Sequence, residues 1–187
     1  MKVWETLSRE VLLDFGQYLT VERHEVELPN GEVIEDWPWL DMPEYVIILA
    51  VTKEKATLFF RQFKYAVGEP TLALPGGYIE PEEGTLKAAQ RELLEETGYE
   101  APQWIDLGHY HVDGNRGAGR AHLLLALDAE RIQEPDSDDL EEQELVYLTR
   151  EEMEEALSTG RIKVLSWVAC IALGLRYLDR MEASASA

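Results

Sequence analysis

The sequence predicts an α/β fold, a mixed sheet packed by helices, and three observations carry that reading. Strand signals fill the first third of the chain; a run of strong helix formers, "LKAAQRELLEET", stops at Gly98; an amphipathic helix over 162–180 lies near the end. A chain of 187 residues suggests one domain with a small N-terminal addition, long enough for a real core.

The elements follow in order. "YLTVERHEVEL" and "EVIEDWPWL" flank Pro29-Asn30-Gly31, which reads as a hairpin with Asn-Gly at its tip. "EYVIILAVT" and "ATLFFRQFKY" form a second strand pair, and the continuous apolar run of the first predicts burial on both faces. Thr85 is a fair N-cap for the central helix, with Leu86, Ala89, Leu93 and Thr97 marking the face that should pack on the sheet. Beyond Gly98, "QWIDLGHYHV" and "AHLLLALDA" enclose the glycine-rich "DGNRGAG". The acidic loop "QEPDSDDLEEQ" leads to a short strand, "ELVYLT". Thr149 and Glu152 make a capping box for a helix over 150–157. We divide the chain into N-terminal antiparallel strands (1–42), a main domain (43–182) and a frayed tail (183–187).

Composition restricts the partners. Lys and Arg number 17 against 37 acids, a net charge of -20. Such a surface repels nucleic-acid phosphates and anionic lipid, so we expect neither as a partner. Phosphate esters are repelled too, unless a metal and a few basic groups reverse the local field. Cys170 is the single cysteine, which precludes an internal disulfide and suits a reducing cytoplasm. "MKVWETLSREV" lacks the apolar core of a signal peptide, and Val164 to Leu178 is too short to span a bilayer and carries Arg176. We expect a soluble cytoplasmic protein.

One stretch demands a chemical reason. Glu92, Glu95 and Glu96 stand three and four residues apart on one helix surface and repel one another when ionised. Clustered hard oxygen ligands of this kind suit Mg²⁺ or Mn²⁺, which keep waters for a phosphate substrate to displace. Gly76 and Gly77 would let the backbone pass close to that ion, where a carbonyl can join the ligands.

The spacing has a known counterpart. Gly77, five residues, Glu83, seven residues, then Arg91-Glu92-Leu93-Leu94-Glu95-Glu96-Thr97-Gly98-Tyr99 resembles the Nudix box at every specified position. "PNGEVIEDW", "FFRQFKYAVG", "LALPGGYIEP" and "ETGYEAPQWIDLG" are similar to the ADP-ribose and ADP-sugar pyrophosphatase branch of the Nudix hydrolases. The resemblance implies a Nudix α/β/α sandwich around a mixed sheet with an N-terminal β-hairpin extension. It implies cleavage of a nucleoside diphosphate linked to another moiety, using divalent metal and water, and a homodimer built through N-terminal strands. Glu92, Glu95 and Glu96 then resemble metal ligands, with the Gly76 carbonyl as a further one, and Glu83 and Arg91 resemble a bracing pair.

The general base lies, by the same resemblance, in an acidic loop before the late strand. Glu141 aligns best, with Asp139, Glu142 and Glu144 as rivals. Tyr18 and Trp37 sit where relatives stack aromatics on adenine, although either also reads as a half-buried hairpin aromatic. Lys64 falls where relatives often have an arginine touching phosphate. Arg116 and Arg120 sit in and just after "GNRGAG", which reads either as an anion cradle or as a flexible hairpin loop. His109, His111 and His122 read as structural, and Cys170 as core. Ala73 stands where that branch commonly has an acid, which leaves the leaving group open among ADP-ribose, nucleotide sugars, dinucleotides and coenzymes. A catalytically retired nucleotide sensor and a metal-buffering acidic protein are the competing classes. Phosphate-ester release with Mg²⁺ separates both from an enzyme.

Overall fold

The computed structural model describes residues 2–136 and 142–185. Among these, ten strands form two sheets and three helices accompany them. The first sheet is β1 (Glu5–Asp14), β2 (Thr20–Glu27) and β3 (Val33–Asp41), antiparallel and in that order. The expected hairpin is therefore a three-stranded sheet. β1 was not legible because its apolar residues do not alternate, and bulges after Thr6 and Val11 break the period. The Asn-Gly turn forms as expected: the Gly31 N–H donates to the Leu28 carbonyl at 2.9 Å, and the Asn30 side chain accepts from the Glu32 N–H at 3.1 Å.

The second sheet holds seven strands, running β10-β5-β4-β9-β7, with β6 beside β5 and β8 beside β9. Its members are β4 (Tyr45–Thr52), β5 (Thr57–Phe63), β6 (Pro70–Ala73), β7 (Tyr99–Glu100), β8 (Gln103–His111), β9 (Arg120–Arg131) and β10 (Gln143–Leu148). β4 explains its unbroken apolar run. Val46, Ile48 and Ala50 join a core with Ala88, Ala89 and Leu93 of α1 (Thr85–Thr97). The other face of β4 meets α3 (Leu165–Ala185): a Cβ at Gly174 would lie 2.3 Å from Leu49 Cδ2, and the buried Cys170 thiol points at the Ile47 carbonyl. Helices thus cover both faces of the strand, as an α/β/α sandwich requires.

Three details depart from expectation. The N-cap of α1 is Gly84 in extended conformation, without a side-chain cap, and Thr85 is the first helical residue. Leu86 is exposed while Ala88 is buried, because the box turns the helix so that its small residues meet β4 closely. α3 continues through Ala185 instead of fraying at 183. The capping box of α2 (Arg150–Ser158) is present in both halves, Thr149 to Glu152 and back. No helix among the described residues is long and apolar enough to cross a membrane.

The chain divides into two compact units, Met1–Glu44 with Tyr110–Ala121, and Tyr45–His109 with His122–Ala187. In the first, the 110–121 segment is stitched to β3. Leu40 donates to the Arg116 carbonyl at 3.1 Å, and Ala118 donates to the Leu40 carbonyl at 3.0 Å. A Cβ at Gly117 would fall 2.3 Å from the Leu40 oxygen, so the approach requires glycine.

Candidate active site

The glycine loop is positioned by backbone hydrogen bonds before any side chain acts. Val46 N–H donates to the Gly77 carbonyl and Ile48 N–H to the Pro75 carbonyl, each at 2.9 Å, and a bridge joins Tyr45 to Tyr78. Residues 75–78 thus run along β4 as a continuation of β6. Gly76 has φ +150°, and a Cβ there would lie 2.1 Å from the Val46 oxygen. Gly76→Ala should therefore displace the loop from β4 and lower stability by about 1–3 kcal/mol, the range of local backbone strain. An unchanged thermal midpoint would refute this placement.

The box carboxylates converge on that loop. Glu96 Oε2 accepts from the Gly76 N–H at 2.9 Å. A Cβ at Gly77 would sit 2.4 Å from Glu92 Oε1, so the Glu92 carboxylate lies directly against bare backbone. The repulsion among the glutamates is answered by Arg91. Its Nε and Nη2 hold Glu83 bidentately at 3.0 and 2.9 Å, and its Nη1 reaches Glu92 at 2.8 Å and Glu95 at 3.2 Å. Nη2 also donates to the Tyr78 carbonyl at 3.1 Å, fastening the helix to the end of the glycine loop.

These contacts set the protonation states. The Arg91 hydrogen bond holds the Glu83 carboxyl below its ordinary value, helped by the Glu80 N–H, against the opposing effect of burial. In return Glu83, then Glu92 and Glu95, raise the pKa of Arg91. The Glu83 and Glu92 side chains are 15% and 14% exposed, whereas Glu95 is 48% exposed. Glu83 and Arg91 thus form a sheltered brace, and Glu95 faces outward.

Among the described residues no three carboxylate, imidazole or thiol groups converge as a ready cation cage. The donor chemistry nevertheless fits a hard divalent ion. Three carboxylates share one helix surface, two of them are turned onto a loop, and the missing Cβ of Gly77 leaves room for the Glu92 carboxylate against the main chain.

The acidic loop begins beside the same helix. Gly98 caps α1 in the left-handed conformation, and its carbonyl accepts from the Ile132 N–H at 2.9 Å. The Asp136 N–H donates to the Glu95 carbonyl at 2.8 Å, so the segment after β9 is fixed to the last turn of the box helix. Asp139 and Glu141 lie outside the described residues. Glu142 is exposed just before β10. Glu144 lies within β10 opposite Arg61, 3.2 Å from its guanidinium. That places Glu144 in a cross-strand ion pair.

The other sequence-derived contacts are spread more widely. Trp37 is half-buried in β3; its indole N–H donates to the Asn115 carbonyl at 2.9 Å and its ring meets Trp4 edge-on at 5.3 Å. Tyr18 is 58% exposed in the turn between β1 and β2. Trp37 pairs with His24 of β2, whereas Tyr18 lies in the turn that precedes that strand. Lys64 is half-buried, and its carbonyl accepts from Val67 and Gly68 in the turn after β5. Arg116 lies 3.7 Å from Asp113, and Arg120 lies 3.5 Å from Glu44, an acid that carries no motif or spacing signal of its own. The Nε of Arg120 is buried without a hydrogen-bond partner among the described residues.

Residues 4–40 match the family described as the nucleoside diphosphate sugar hydrolase N-terminal domain. An ADP-ribose pyrophosphatase of Bacillus subtilis is 27% identical over 179 residues, spanning 96% of this chain and 94% of that protein. A CMP-5'-(N-acetyl-N-hydroxy-3-aminopropyl)phosphonate hydrolase of Streptomyces rubellomurinus is 29% identical over 158 residues, spanning 84% of this chain and 75% of that protein. A crystal structure of an ADP compounds hydrolase superposes with a TM-score of 0.82 at 20% identity, each chain covered to 97%, and it shares the fold. Residues 41–168, which carry the glycine loop, the braced carboxylates and the acidic loop, match the NUDIX domain, and the chain belongs to that family.

Proposed function

We propose that this chain hydrolyses the diphosphate linkage of a nucleoside diphosphate joined to another moiety, with ADP-ribose or an ADP- or nucleotide-sugar as the first candidates. It is a hydrolase acting on pyrophosphate bonds. The observation that carries the reading is the set of box carboxylates turned onto the Gly76–Gly77 backbone and braced by Arg91. The pyrophosphatase relative supports ADP-ribose, and the CMP-phosphonate relative favours keeping other bases and leaving groups in the test. A screen of ADP-ribose, nucleotide sugars, dinucleotides and coenzymes, with products identified by mass, tests it. Absence of any phosphate-ester product with Mg²⁺ or Mn²⁺ would favour a nucleotide sensor.

Glu92, Glu95 and Glu96, with the Gly76 carbonyl, would hold Mg²⁺ or Mn²⁺, and an ion there neutralises diphosphate oxygens and lowers the pKa of the attacking water. Arg91 and Glu83 keep the three carboxylates in register with the loop, so the helix need not reorganise during the reaction. Gly76 and Gly77 present no Cβ, which lets the Val46 carbonyl and the Glu92 carboxylate pack directly against the loop backbone. Glu141 takes the proton from the water. Lys64, Arg116 and Arg120 supply positive charge for phosphate in a chain of net charge -20. Trp37 and Tyr18 stack on the base.

We read 1–42 as dimer-forming strands, 43–182 as the catalytic domain and the cytoplasm as the compartment, with neither nucleic acid nor membrane as a partner. The homodimer reading rests on β1, an edge strand whose residues are all exposed, including Leu7, Val11, Leu12 and Leu13. An exposed apolar edge strand invites pairing with another chain. Light scattering at micromolar concentration should give twice the chain mass. A monomer mass would count against the assembly.

A further inference from the structure

A cleft of about 330 Å³ opens where the loop after α2 meets the edge of the main sheet, lined by Arg61, Glu69, Thr71, Gly160, Arg161 and Lys163 among others. None of these belongs to the box or to the proposed substrate contacts, and Arg61 is the cross-strand partner of Glu144. Acids outnumber bases in the chain 37 to 17, so three basic side chains facing one cleft reverse the prevailing charge.

Each cation is available to an incoming anion. Lys163 lies 3.4 Å from Glu69, and Arg61 lies 3.2 Å from Glu144. Both pairs are largely exposed, and exposed ion pairs hold their partners weakly. Arg161 is exposed and makes no ion pair among the described residues. Its backbone is nevertheless fixed. The carbonyl accepts from Thr71 Oγ1 at 3.2 Å and from the Leu72 N–H at 3.4 Å, while the N–H donates to the Ala156 carbonyl at 3.0 Å. Gly160, at φ +70°, has nothing within 4 Å of where a Cβ would be, so the floor is open to a ligand.

We propose that this cleft is a second anion site that takes the dianionic phosphate of a phosphate monoester or of inorganic phosphate. Arg161 offers a guanidinium fork, and Lys163 and Arg61 exchange an exposed carboxylate for a doubly charged group. The volume suits a phosphate with a small organic substituent. The acidic surroundings repel an extended polyanion, so the ligand is compact. The site has a mechanical link to the loop of the box: Thr71 and Leu72, which grip Arg161, belong to β6, and β6 runs directly into Pro75–Gly77.

The test is calorimetric titration of the intact protein with inorganic phosphate, which needs no turnover and is independent of the hydrolase reading. One equivalent should bind. The double variant Arg161→Gln, Lys163→Gln should weaken binding by roughly tenfold or more, the loss expected for charge-assisted hydrogen bonds. Glu69→Gln, which removes the competing carboxylate, should tighten it. Titration with a nucleoside 5′-monophosphate distinguishes the sources: an affinity gain over phosphate that disappears in the double variant identifies an ester as the ligand, and equal affinities identify free phosphate. Unchanged phosphate affinity in the double variant, or no tightening in Glu69→Gln, overturns the proposal.

Discussion

Glu96→Gln should leave the protein folded and its hydrolysis nearly abolished. The amide keeps an oxygen that can accept from the Gly76 N–H, the bond that ties the helix to the glycine loop at 2.9 Å. The negative charge facing the loop is lost, however, and with it the proposed hard anionic ligand. Changes to residues that merely orient metal ligands already cost roughly 10–100-fold, so loss of a ligand should cost more, about 10³-fold in kcat/KM. Folding is expected to persist because Glu96 shares its helix surface with Glu92 and Glu95, and neutralising one of three carboxylates relieves repulsion. Thermal unfolding and turnover with Mg²⁺, measured on the same preparation, check both halves. Wild-type turnover in Glu96→Gln would end the metal-hydrolase account. Collapse of the fold would assign Glu96 a structural role.

Glu141→Gln should lower kcat by roughly 10²–10⁴ with little change in KM, the effect of removing one general base. Asp139→Gln and Glu142→Gln should cost much less. Glu144→Gln should be mild for a reason the fold supplies: its carboxylate lies in β10 paired with Arg61, 3.2 Å away, and such an exposed pair contributes up to about 1 kcal/mol to stability. The loop to which we assign the base follows a fixed point, since the Asp136 N–H is bonded to the Glu95 carbonyl at 2.8 Å. Single-turnover rates across the four variants decide the assignment. A crippled Glu142→Gln beside a mild Glu141→Gln would move the base by one residue, and four mild variants would move it off this loop.

Much of the local structure was legible in the chain. α1 ends at Gly98 because only a residue that tolerates the left-handed conformation can close the helix there, and the observed φ is +75°. The capping box at Thr149 and Glu152 formed because its two hydrogen bonds are local and need no tertiary partner. The continuous apolar run of β4 correctly signalled burial on two faces, one toward α1 and one toward α3. β1 was not legible, since a strand exposed along its length has no core to impose a two-residue period and its bulges break what pattern remains.

The candidate site divides along the same line. Spacing alone brought Glu92, Glu95 and Glu96 onto one helix surface and named Gly76 and Gly77 as their backbone wall, because helical periodicity and the absence of a Cβ are properties of the residues themselves. The sequence could not say which carboxylates face the loop, because that depends on where β4 holds residues 75–77. Two backbone bonds from Val46 and Ile48 made that decision. Nor could it say that Arg91, expected to brace Glu83, would also reach Glu92, Glu95 and the Tyr78 carbonyl, or that Glu144 would be drawn to Arg61 across a strand pair. Long charged side chains choose partners by proximity, and proximity between residues distant along the chain exists only once the sheet has assembled.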